Sequence, residues 1–365
     1  MKIPAHTLYI VLCYAWERYD ENLDSAVARA HASVPDDLPQ NLLARLLRDS
    51  FRRLWRRGLD RGYLARIEDA RRPKGKIDMA RTVARALRSR ARVAVRYEEL
   101  TRNVLPNRLV KSTMLRLASL PADDFHSELR RDLLRLARLL PEVDEVELRG
   151  EFFHGVQLHR NNSDYGFLLS VCRLVAGRLV PEGRSGRYRF RGFTASDTEM
   201  GNLFEAFVRG FLKRERPELG VWPRNRQISF GALASIGAPS VPGMLADIFV
   251  PACGASEKRR SVIVETKCVN NPFARDGTFL RSDHLYQLWA YLTNYSRANP
   301  ADRSPAGMLL YATDGHSFRH AYTFPGHPLE VRSLDLGQAW PDLRHDLHDL
   351  ANDLAGVTGA GASAA

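Results

Sequence analysis

Hydrophobic residues recur at helical spacing through the first third of the chain. In residues 41–58 they form one stripe with a period of about 3.6 residues, as on the buried face of an amphipathic helix. The stripe consists of Leu42, Leu43, Leu46, Leu47, Phe51 and Leu54. The apolar opening stretch Leu8–Trp16 predicts a buried helix, residues 81–96 an arginine-rich helix, and residues 107–140 a long helical stretch.

The second part of the chain mixes the helical period with the shorter patterns that indicate strands. It begins with an amphipathic helix at 197–214, for which Asp197 is the expected N-cap. The elements after it are strands at 226–231, 244–250 and 261–267, a helix at 282–296, and strands at 307–312 and 319–323. This order predicts an α+β or α/β fold for the C-terminal part.

These patterns divide the chain into two domains and a tail. A boundary among polar residues near 160 separates a mainly helical N-terminal domain, residues 1–160, from a C-terminal domain, residues 161–354. Two domains agree with a length of 365 residues, since a domain commonly holds roughly 100–200 residues. The tail, residues 355–365, consists of small and polar residues and is predicted to be disordered.

Composition narrows the class of protein. Hydrophobic residues make up 44% of the chain, which excludes disorder for most of it. The formal net charge of +12 favours a polyanionic partner, most often nucleic acid. Four widely spaced cysteines exclude a disulfide framework and a zinc ribbon, and no apolar run is long enough to span a bilayer. We therefore expect a cytoplasmic protein with no membrane segment.

Three basic segments each allow two interpretations. The arginines of 41–58 and 81–96 fit a solvated helix face, or a surface for DNA or an acidic partner. Arg71–Asp78 contains Pro and Gly and predicts a basic loop or hairpin. It does not match a nucleotide-binding loop, so we expect the chain to bind no nucleotide itself. Residues 184–193 alternate arginine with aromatic residues, which fits a two-faced strand or a grip on nucleic acid bases.

Two carboxylates and one lysine are predicted to meet at a sheet edge. Asp247 lies inside one apolar strand, and Glu265 and Lys267 close another. Residues two apart on a strand point to the same face, so Glu265 and Lys267 project together. The midpoint between Asp247 and Glu265 is Ser256, within a turn-like stretch. If the two strands pair as a hairpin, the two carboxylates lie close together.

Such charges are costly to bury unless something pairs them. Mg²⁺ fits this role, because it takes oxygen ligands and commonly combines one or two carboxylates with waters and substrate phosphate. Asp247 and Glu265 would then hold the ion, with Mn²⁺ as a substitute. Lys267 would orient the attacking water or stabilise the charge that develops on the phosphate. The alternative is an ordinary salt-bridge network of Asp, Glu and Lys.

Gln287 and Tyr291 extend this pattern, because they are four residues apart on the next predicted helix and share one face. The series Asp247, Glu265-x-Lys267 and Gln287-x-x-x-Tyr291 resembles the PD-(D/E)xK nuclease superfamily, especially its RecB-like branch. That resemblance implies a restriction-endonuclease-like α-β-β-β-α-β core in which the Gln and Tyr face the active site or the DNA strand. It also implies an acidic metal ligand on the preceding helix, matched by Glu205. The alternatives are a buried Gln–Tyr hydrogen bond and a solvated carboxylate.

Motifs along nearly the whole chain resemble one family of that superfamily. They are IPAHTLYIVLCYAWERYDE at the start, KGKIDMART (74–82), YEELTRNVLPNRLVKSTM (97–114), FLLSVCRLV (167–175), GRYRF (186–190), LADIFV, IVETK and LYQLWAYL. Together they are similar to the McrC family, the nuclease subunits of McrBC modification-dependent restriction systems. Glu265 stands where many McrC proteins carry Asp, and both residue types ligate Mg²⁺.

The resemblance implies a division of labour with a partner. McrC proteins act with McrB, an AAA+ GTPase that forms hexameric rings and recognises modified cytosine. The McrC N-terminal domain inserts into the ring and stimulates GTP hydrolysis, and the C-terminal domain cuts double-stranded DNA. Residues in the matching N-terminal motifs are therefore candidates for ring contacts: Arg72, Lys74, Lys76, Asp78, Asn103 and Asn107.

Two rival functions remain open on the sequence. One is an adaptor without nuclease activity that mainly activates a GTPase ring, although the intact acidic and lysine residues argue against it. The other is a free-standing RecB-like exonuclease, which would degrade DNA without a partner or GTP.

Overall fold

The structure is a computed structural model that describes most of the chain. The described residues are 3–17, 38–156, 165–182, 187–192, 198–224, 227–228, 243–252, 260–269, 271–274, 279–302 and 304–359. They form two compact units. Unit 1 combines the residues up to Pro39 with those from Gly192 onward, and unit 2 is Gln40–Arg191. Within the described ranges, no helix has the length and apolar character needed to cross a membrane.

The described residues form ten α-helices and twelve strands. The α-helices are α1 (Ala5–Ala15), α2 (Pro39–Arg57), α3 (Met79–Ala84), α4 (Leu105–Ala118), α5 (Ser127–Arg138), α6 (Gly150–His154), α7 (Tyr165–Ala176), α8 (Thr198–Glu215), α9 (Ser282–Ala298) and α10 (Trp340–Gly359). The strands are β1 (Gly62–Ala70), β2 (Lys76–Ile77), β3 (Val93–Thr101), β4 (Leu179–Glu182), β5 (Arg187–Phe190), β6 (Ile248–Val250), β7 (Val262–Cys268), β8 (Phe273–Ala274), β9 (Phe279–Leu280), β10 (Ala306–Thr313), β11 (Arg319–Phe324) and β12 (His327–Asp335).

Unit 2 combines a small antiparallel sheet with a group of helices. The sheet has the order β1-β3-β2, and β1 pairs with β3 along its whole length. Helix α7 is tied to the rest of unit 2 through Tyr165. The Tyr165 hydroxyl donates to Asn107 Oδ1 of α4 over 2.6 Å and accepts from the Asp60 backbone N–H over 2.9 Å. Since Tyr165 is 1% exposed, these bonds are shielded from water.

Unit 1 is built on a mixed sheet whose described strands have the order β11-β12-β10-β7-β6. β7, β10 and β12 are parallel, whereas β6 and β11 run antiparallel to their neighbours. Parallel neighbours need a crossover connection, and α9 lies in the connection between β7 and β10. Leu288 and Leu292 of α9 are buried in the same core as Phe249, Leu309 and Val331 of the sheet.

Helix α1 belongs to unit 1 although it begins the chain. Its residue Leu8 is fully buried, and the Tyr14 ring contacts Phe211 of α8 at a centroid distance of 5.3 Å. The Tyr14 hydroxyl donates to Glu215 Oε1 over 2.8 Å. The predicted buried helix at Leu8–Trp16 is therefore confirmed.

The division into units differs from the predicted boundary near residue 160. α7, β4 and β5 follow that residue but belong to unit 2, because Tyr165 bonds to Asn107 and Asp60. α1 precedes it but belongs to unit 1, because its apolar residues pack against α8.

Several predicted elements agree with the structure. These are α2, α8, α9, β7, β10 and β11, the basic loop after β1, and a strand within residues 184–193, at β5. The mixed α/β architecture is confirmed as well. Six of the described strands were not expected: β1, β3, β4, β8, β9 and β12.

Other predictions were wrong in their extent. Residues 81–96 are a helix only to Ala84, because Ala86 and Ala91 have φ of 49° and 51° and β3 begins at Val93. Residues 107–140 form two helices, α4 and α5, separated at Pro121. The predicted strand at 244–250 is regular only in β6. Ile228 forms an isolated bridge with Met244, and residues 229–231 lie outside the described residues. The predicted disordered tail begins too early, because α10 continues to Gly359; residues 360–365 are not described.

We expect Tyr165→Phe to destabilise the chain by about 1–3 kcal/mol, because it removes the hydroxyl that donates to the buried Asn107 Oδ1. The midpoint of urea unfolding measures this loss. Tyr63→Phe is the matched control, since Tyr63 is 72% exposed. Equal midpoints for the two variants would contradict the prediction.

Candidate active site

The strand register brings Asp247 and Glu265 together. β6 and β7 pair antiparallel with Ile248 opposite Val264, so the next residues outward, Asp247 and Glu265, also lie opposite each other. The expected juxtaposition is therefore present, although the turn at 253–259 lies outside the described residues.

The Asp247 carboxylate is fixed by its neighbour strand. Its Oδ2 atom accepts hydrogen bonds from the Thr266 backbone N–H over 2.8 Å and from Thr266 Oγ1 over 2.7 Å. Asp247 is half-buried and Thr266 is buried, so water competes little for these bonds. One oxygen of Asp247 is thereby used for orientation.

Glu265 is the most unusual group of the site. It is 2% exposed, and burial, followed by the nearby Asp247 charge, raises its pKa to about 7; Lys267 opposes this shift. Glu265 Oε1 accepts a hydrogen bond from Lys267 Nζ over 2.8 Å. Its Oε2 atom is buried and has no hydrogen-bond partner within the described part of the chain. A buried carboxylate oxygen in this state is costly unless something else binds it.

A chain of hydrogen bonds connects Lys267 to helix α9 and then to the backbone two residues before Asp247. Lys267 Nζ donates to Gln287 Oε1 over 2.7 Å, and Gln287 Nε2 donates to the Tyr291 hydroxyl over 3.0 Å. The Tyr291 hydroxyl donates to the Leu245 carbonyl over 3.1 Å. The Gln–Tyr hydrogen bond considered as an alternative is present, and it also holds the lysine.

Glu205 lies near this cluster but is occupied by arginines. It is 6% exposed, and its two oxygens accept from Arg209 and, over 3.2 Å, from Arg224. Arg209 Nε in turn donates to the Asp247 backbone carbonyl over 3.2 Å, and burial lowers the Arg209 pKa to about 10. The solvated alternative is therefore wrong, because Glu205 is buried in an ion pair, and the ligand role stays a prediction. Among the described residues, no group of three or more His, Cys, Asp or Glu side chains could hold a metal ion.

The donor set of Asp247 and Glu265 nevertheless fits a hard divalent cation. Two carboxylates from adjacent strands supply the oxygen atoms that Mg²⁺ prefers, with waters and substrate completing its coordination. The partnerless Glu265 Oε2 is the atom that such an ion would satisfy. A salt bridge to Lys267 alone leaves that oxygen without a partner, so the simple salt-bridge alternative is incomplete.

A further pair beside Lys267 was missed by the sequence reasoning. Tyr311 lies opposite Lys267 in the β7–β10 register, and its hydroxyl is 2.8 Å from His284 Nδ1. Burial lowers the His284 pKa to about 4, so the imidazole is neutral near neutral pH. His284 precedes Gln287 by three residues on α9, which places both on one helix face. The three-residue spacing of His284 and Gln287 was the feature of the sequence that could have predicted this histidine near the site.

The candidate ring-contact residues differ in accessibility within unit 2. Arg72 and Lys76 are exposed, and Lys74 pairs with Glu68 over 3.0 Å. Asp78 caps α3 by accepting from the Arg81 backbone N–H over 3.0 Å. Asn103 bonds to Asp144 near the surface.

Asn107 is a correction to the predicted contacts. It is 1% exposed, and its side chain bonds to the Asp60 and Arg102 carbonyls and to Tyr165. A residue so enclosed stabilises unit 2 and cannot present its side chain to a partner.

Comparison with known proteins identifies the family. The model of the family described as McrBC 5-methylcytosine restriction system component matches residues 12–312. The chain belongs to this family. It is 27% identical over 353 residues to the Type IV methyl-directed restriction enzyme EcoKMcrBC of Escherichia coli (strain K12), covering 96% of this chain and 98% of that protein. The resemblance to McrC is thus confirmed.

Two solved McrBC structures from Thermococcus gammatolerans are also similar to the chain. One is a half-complex of McrB AAA+ hexamers with bound McrC, with 17% identity, a TM-score of 0.48, and coverage of 96% of this chain and 76% of that one. The other is the McrBC complex, with 20% identity, a TM-score of 0.41, and coverage of 57% and 58%.

The raised pKa of Glu265 makes a prediction about stability. Between the ordinary value of 4.5 and about 7, the folded chain binds more protons at this group than the unfolded chain. Stability therefore falls as pH rises through this window, on the order of 3 kcal/mol for the full shift. The variant Glu265→Gln should lack this decrease in the free energy of unfolding with rising pH, because its side chain does not titrate.

The measurement is urea unfolding at several pH values across this window, with a chelator present so that the group stays metal-free. The matched control is Glu218→Gln, because Glu218 is exposed and its pKa is lowered, chiefly by its hydrogen bond with Arg216. The same pH dependence in wild type and Glu265→Gln would contradict the assignment.

Proposed function

We propose that the chain is the Mg²⁺-dependent endonuclease subunit of its restriction system and hydrolyses phosphodiester bonds in DNA. The observation that carries this proposal is the cluster of Asp247, Glu265, Lys267 and Gln287, in which Glu265 Oε2 is buried and has no hydrogen-bond partner among the described residues. The proposed core is of the PD-(D/E)xK type, from α8 through β6, β7 and α9 to β10.

The site residues have distinct roles in this mechanism. Asp247 and Glu265 would hold Mg²⁺, or Mn²⁺ in its place. The bound ion would lower the pKa of a coordinated water and offset charge on the scissile phosphate. The Lys267 ammonium has three N–H donors, and two are used by Glu265 and Gln287. The third can hold the attacking water or a phosphate oxygen. Gln287 and Tyr291 keep Lys267 in that position.

The proposed substrate and partner follow from the family. The family description names a 5-methylcytosine restriction system, and the curated relative is named a methyl-directed restriction enzyme. We therefore propose double-stranded DNA with modified cytosine as substrate and a McrB-like AAA+ GTPase hexamer as partner. No nucleotide-binding loop is found in the sequence, so GTP hydrolysis is assigned to the partner.

Lys267→Ala is expected to reduce cleavage of cytosine-methylated plasmid by about 10²-fold or more, because it removes the donor next to the reacting phosphate. The assay contains the chain, its GTPase partner, Mg²⁺ and GTP. Stimulation of GTP hydrolysis should be unchanged. Lys213→Ala on α8 is the control, as Lys213 is at the surface and pairs with Glu17.

Either rival function would give a different result. Equal cleavage by wild type and Lys267→Ala would place the chemistry elsewhere. GTPase stimulation without any cleavage by wild type would favour the adaptor. DNA degradation by the chain alone, without partner or GTP, would favour the exonuclease.

Metal binding itself gives a separate prediction. Mg²⁺ or Mn²⁺ at about 100-fold above its dissociation constant should stabilise the fold by about 2.7 kcal/mol. This corresponds to a rise in melting temperature of about 3–4 °C for a chain of 365 residues. The rise should be absent in Glu265→Gln. It should persist in Glu205→Gln, because the Glu205 oxygens are occupied by Arg209 and Arg224. Loss of the rise in Glu205→Gln would instead make Glu205 a ligand.

A further inference from the structure

The surplus of positive over negative charge lies entirely in unit 2. Gln40–Arg191 contains 34 Lys and Arg against 18 Asp and Glu, a net charge of +16. The rest of the chain contains 20 Lys and Arg against 24 Asp and Glu, a net charge of −4. The part with Asp247 and Glu265 therefore has no surplus of positive charge to attract a polyanion such as DNA.

Part of the surplus forms a stripe on α5. Arg131, Arg135 and Arg138 are spaced i, i+4 and i+7, so they share one side of the helix. All three are exposed, while Leu129 and Leu133 on the other side are buried in unit 2. Among the described residues, none of these three arginines has a carboxylate partner.

Helix α2 carries arginines beside this stripe. Arg53 and Arg56 are exposed and, within the described ranges, lack a carboxylate partner. Arg48 and Arg52 donate to Asp132 Oδ2 of α5 over 3.3 and 3.1 Å. This shared carboxylate keeps the two helices side by side. Arg56 follows Arg52 by one helical turn, and its Nε donates to the Arg52 carbonyl over 3.3 Å. We call the surface the arginine face and define it as Arg52, Arg56, Arg131, Arg135 and Arg138.

The arginine face lacks the apolar centre typical of a protein interface. Within the described helices α2 and α5 no large hydrophobic side chain is exposed, and only Leu38 and Leu139, at their ends, are 41% and 40% exposed. The β1-β3-β2 sheet of the same unit is different, because Tyr63, Ile67 and Leu100 are 72%, 43% and 50% exposed. The sheet therefore suits a protein partner, and the arginine face suits a highly charged one.

We propose that the arginine face binds the phosphate backbone of duplex DNA and supplies the affinity that the acidic unit 1 lacks. The proposal rests on the proposed function only in taking DNA as the substrate. Guanidinium groups bind phosphates through two parallel hydrogen bonds, and arginines spaced by one helical turn present several such groups in a row. Backbone contacts of this kind carry no sequence information. The choice of modified DNA is left to another part of the system.

The test measures DNA binding without cleavage. A full-length chain carrying Asp247→Asn is titrated onto a fluorescein-labelled DNA duplex, without metal or GTP, at a series of salt concentrations. The variant R131A/R135A/R138A should bind about 10-fold more weakly or worse. Its slope of log affinity against log salt should fall by about 2–3, since each phosphate contact contributes about 0.9.

Two matched variants separate this face from charge in general. R66A/R85A/R149A removes the same charge, but those arginines are already paired with Glu99, Asp69 and Glu147, so it should weaken binding much less. R131K/R135K/R138K keeps the charge and should retain the salt slope with weaker binding. It also shows whether the helix tolerates substitution.

Several outcomes would overturn the proposal. Equal weakening by the two alanine triples would mean that only net charge matters. Unchanged binding by R131A/R135A/R138A would place the DNA contact elsewhere. Unchanged binding combined with lost GTPase stimulation would assign the face to a protein partner. If R131A/R135A/R138A binds DNA more weakly but the wild-type chain never cuts DNA, the arginine face is supported and the proposed nuclease function is contradicted.

Discussion

The buried carboxylate of Glu265 is the constraint on which the candidate site depends. Removing a charge from water is expensive, and a single lysine hydrogen bond satisfies only one of its two oxygens. The cost is imposed by the fold, because β7 lies in the interior of the sheet between β6 and β10. Because the buried Glu265 carboxylate lowers stability, we infer that it serves function, and a bound cation is the simplest partner that would offset the cost of its burial.

Helix α9 connects Glu265 and its hydrogen-bonded neighbour Lys267 to the hydrophobic core. Its apolar face, with Leu288 and Leu292, fixes the helix on the sheet. Because Gln287 is adjacent to the buried Leu288, its side chain is held at hydrogen-bond distance from Lys267. His284 of the same helix is hydrogen-bonded to Tyr311 on β10. Polar contacts on both sides of Lys267 thus depend on one hydrophobic interface. Loosening that interface would move the lysine without touching any charged group.

The sequence predicted the arrangement of Asp247 and Glu265 better than it predicted the strands of unit 2. Asp247 and Glu265 could be paired because antiparallel strands are symmetric about their turn, and the ExK spacing follows from strand geometry. In unit 2, β3 was missed for a physical reason. The chain reverses at Ala86 and Ala91, which adopt a left-handed conformation without the Gly or Asn that normally signals it. The pairing of Glu205 with Arg224 depends on tertiary contacts, which local patterns do not encode.

The two proposals place DNA affinity and chemistry in different units, and the distribution of charge gives a reason for this. A site that gathers two carboxylates for a metal repels phosphate until the ion is present. Adding basic residues around it would raise DNA affinity but would also compete with the ion for the same carboxylates, as Arg209 and Arg224 do at Glu205. Placing the arginines on helices of unit 2 avoids this competition. Under that arrangement the chain can hold DNA without cutting it, and control over cutting can act on the metal site alone.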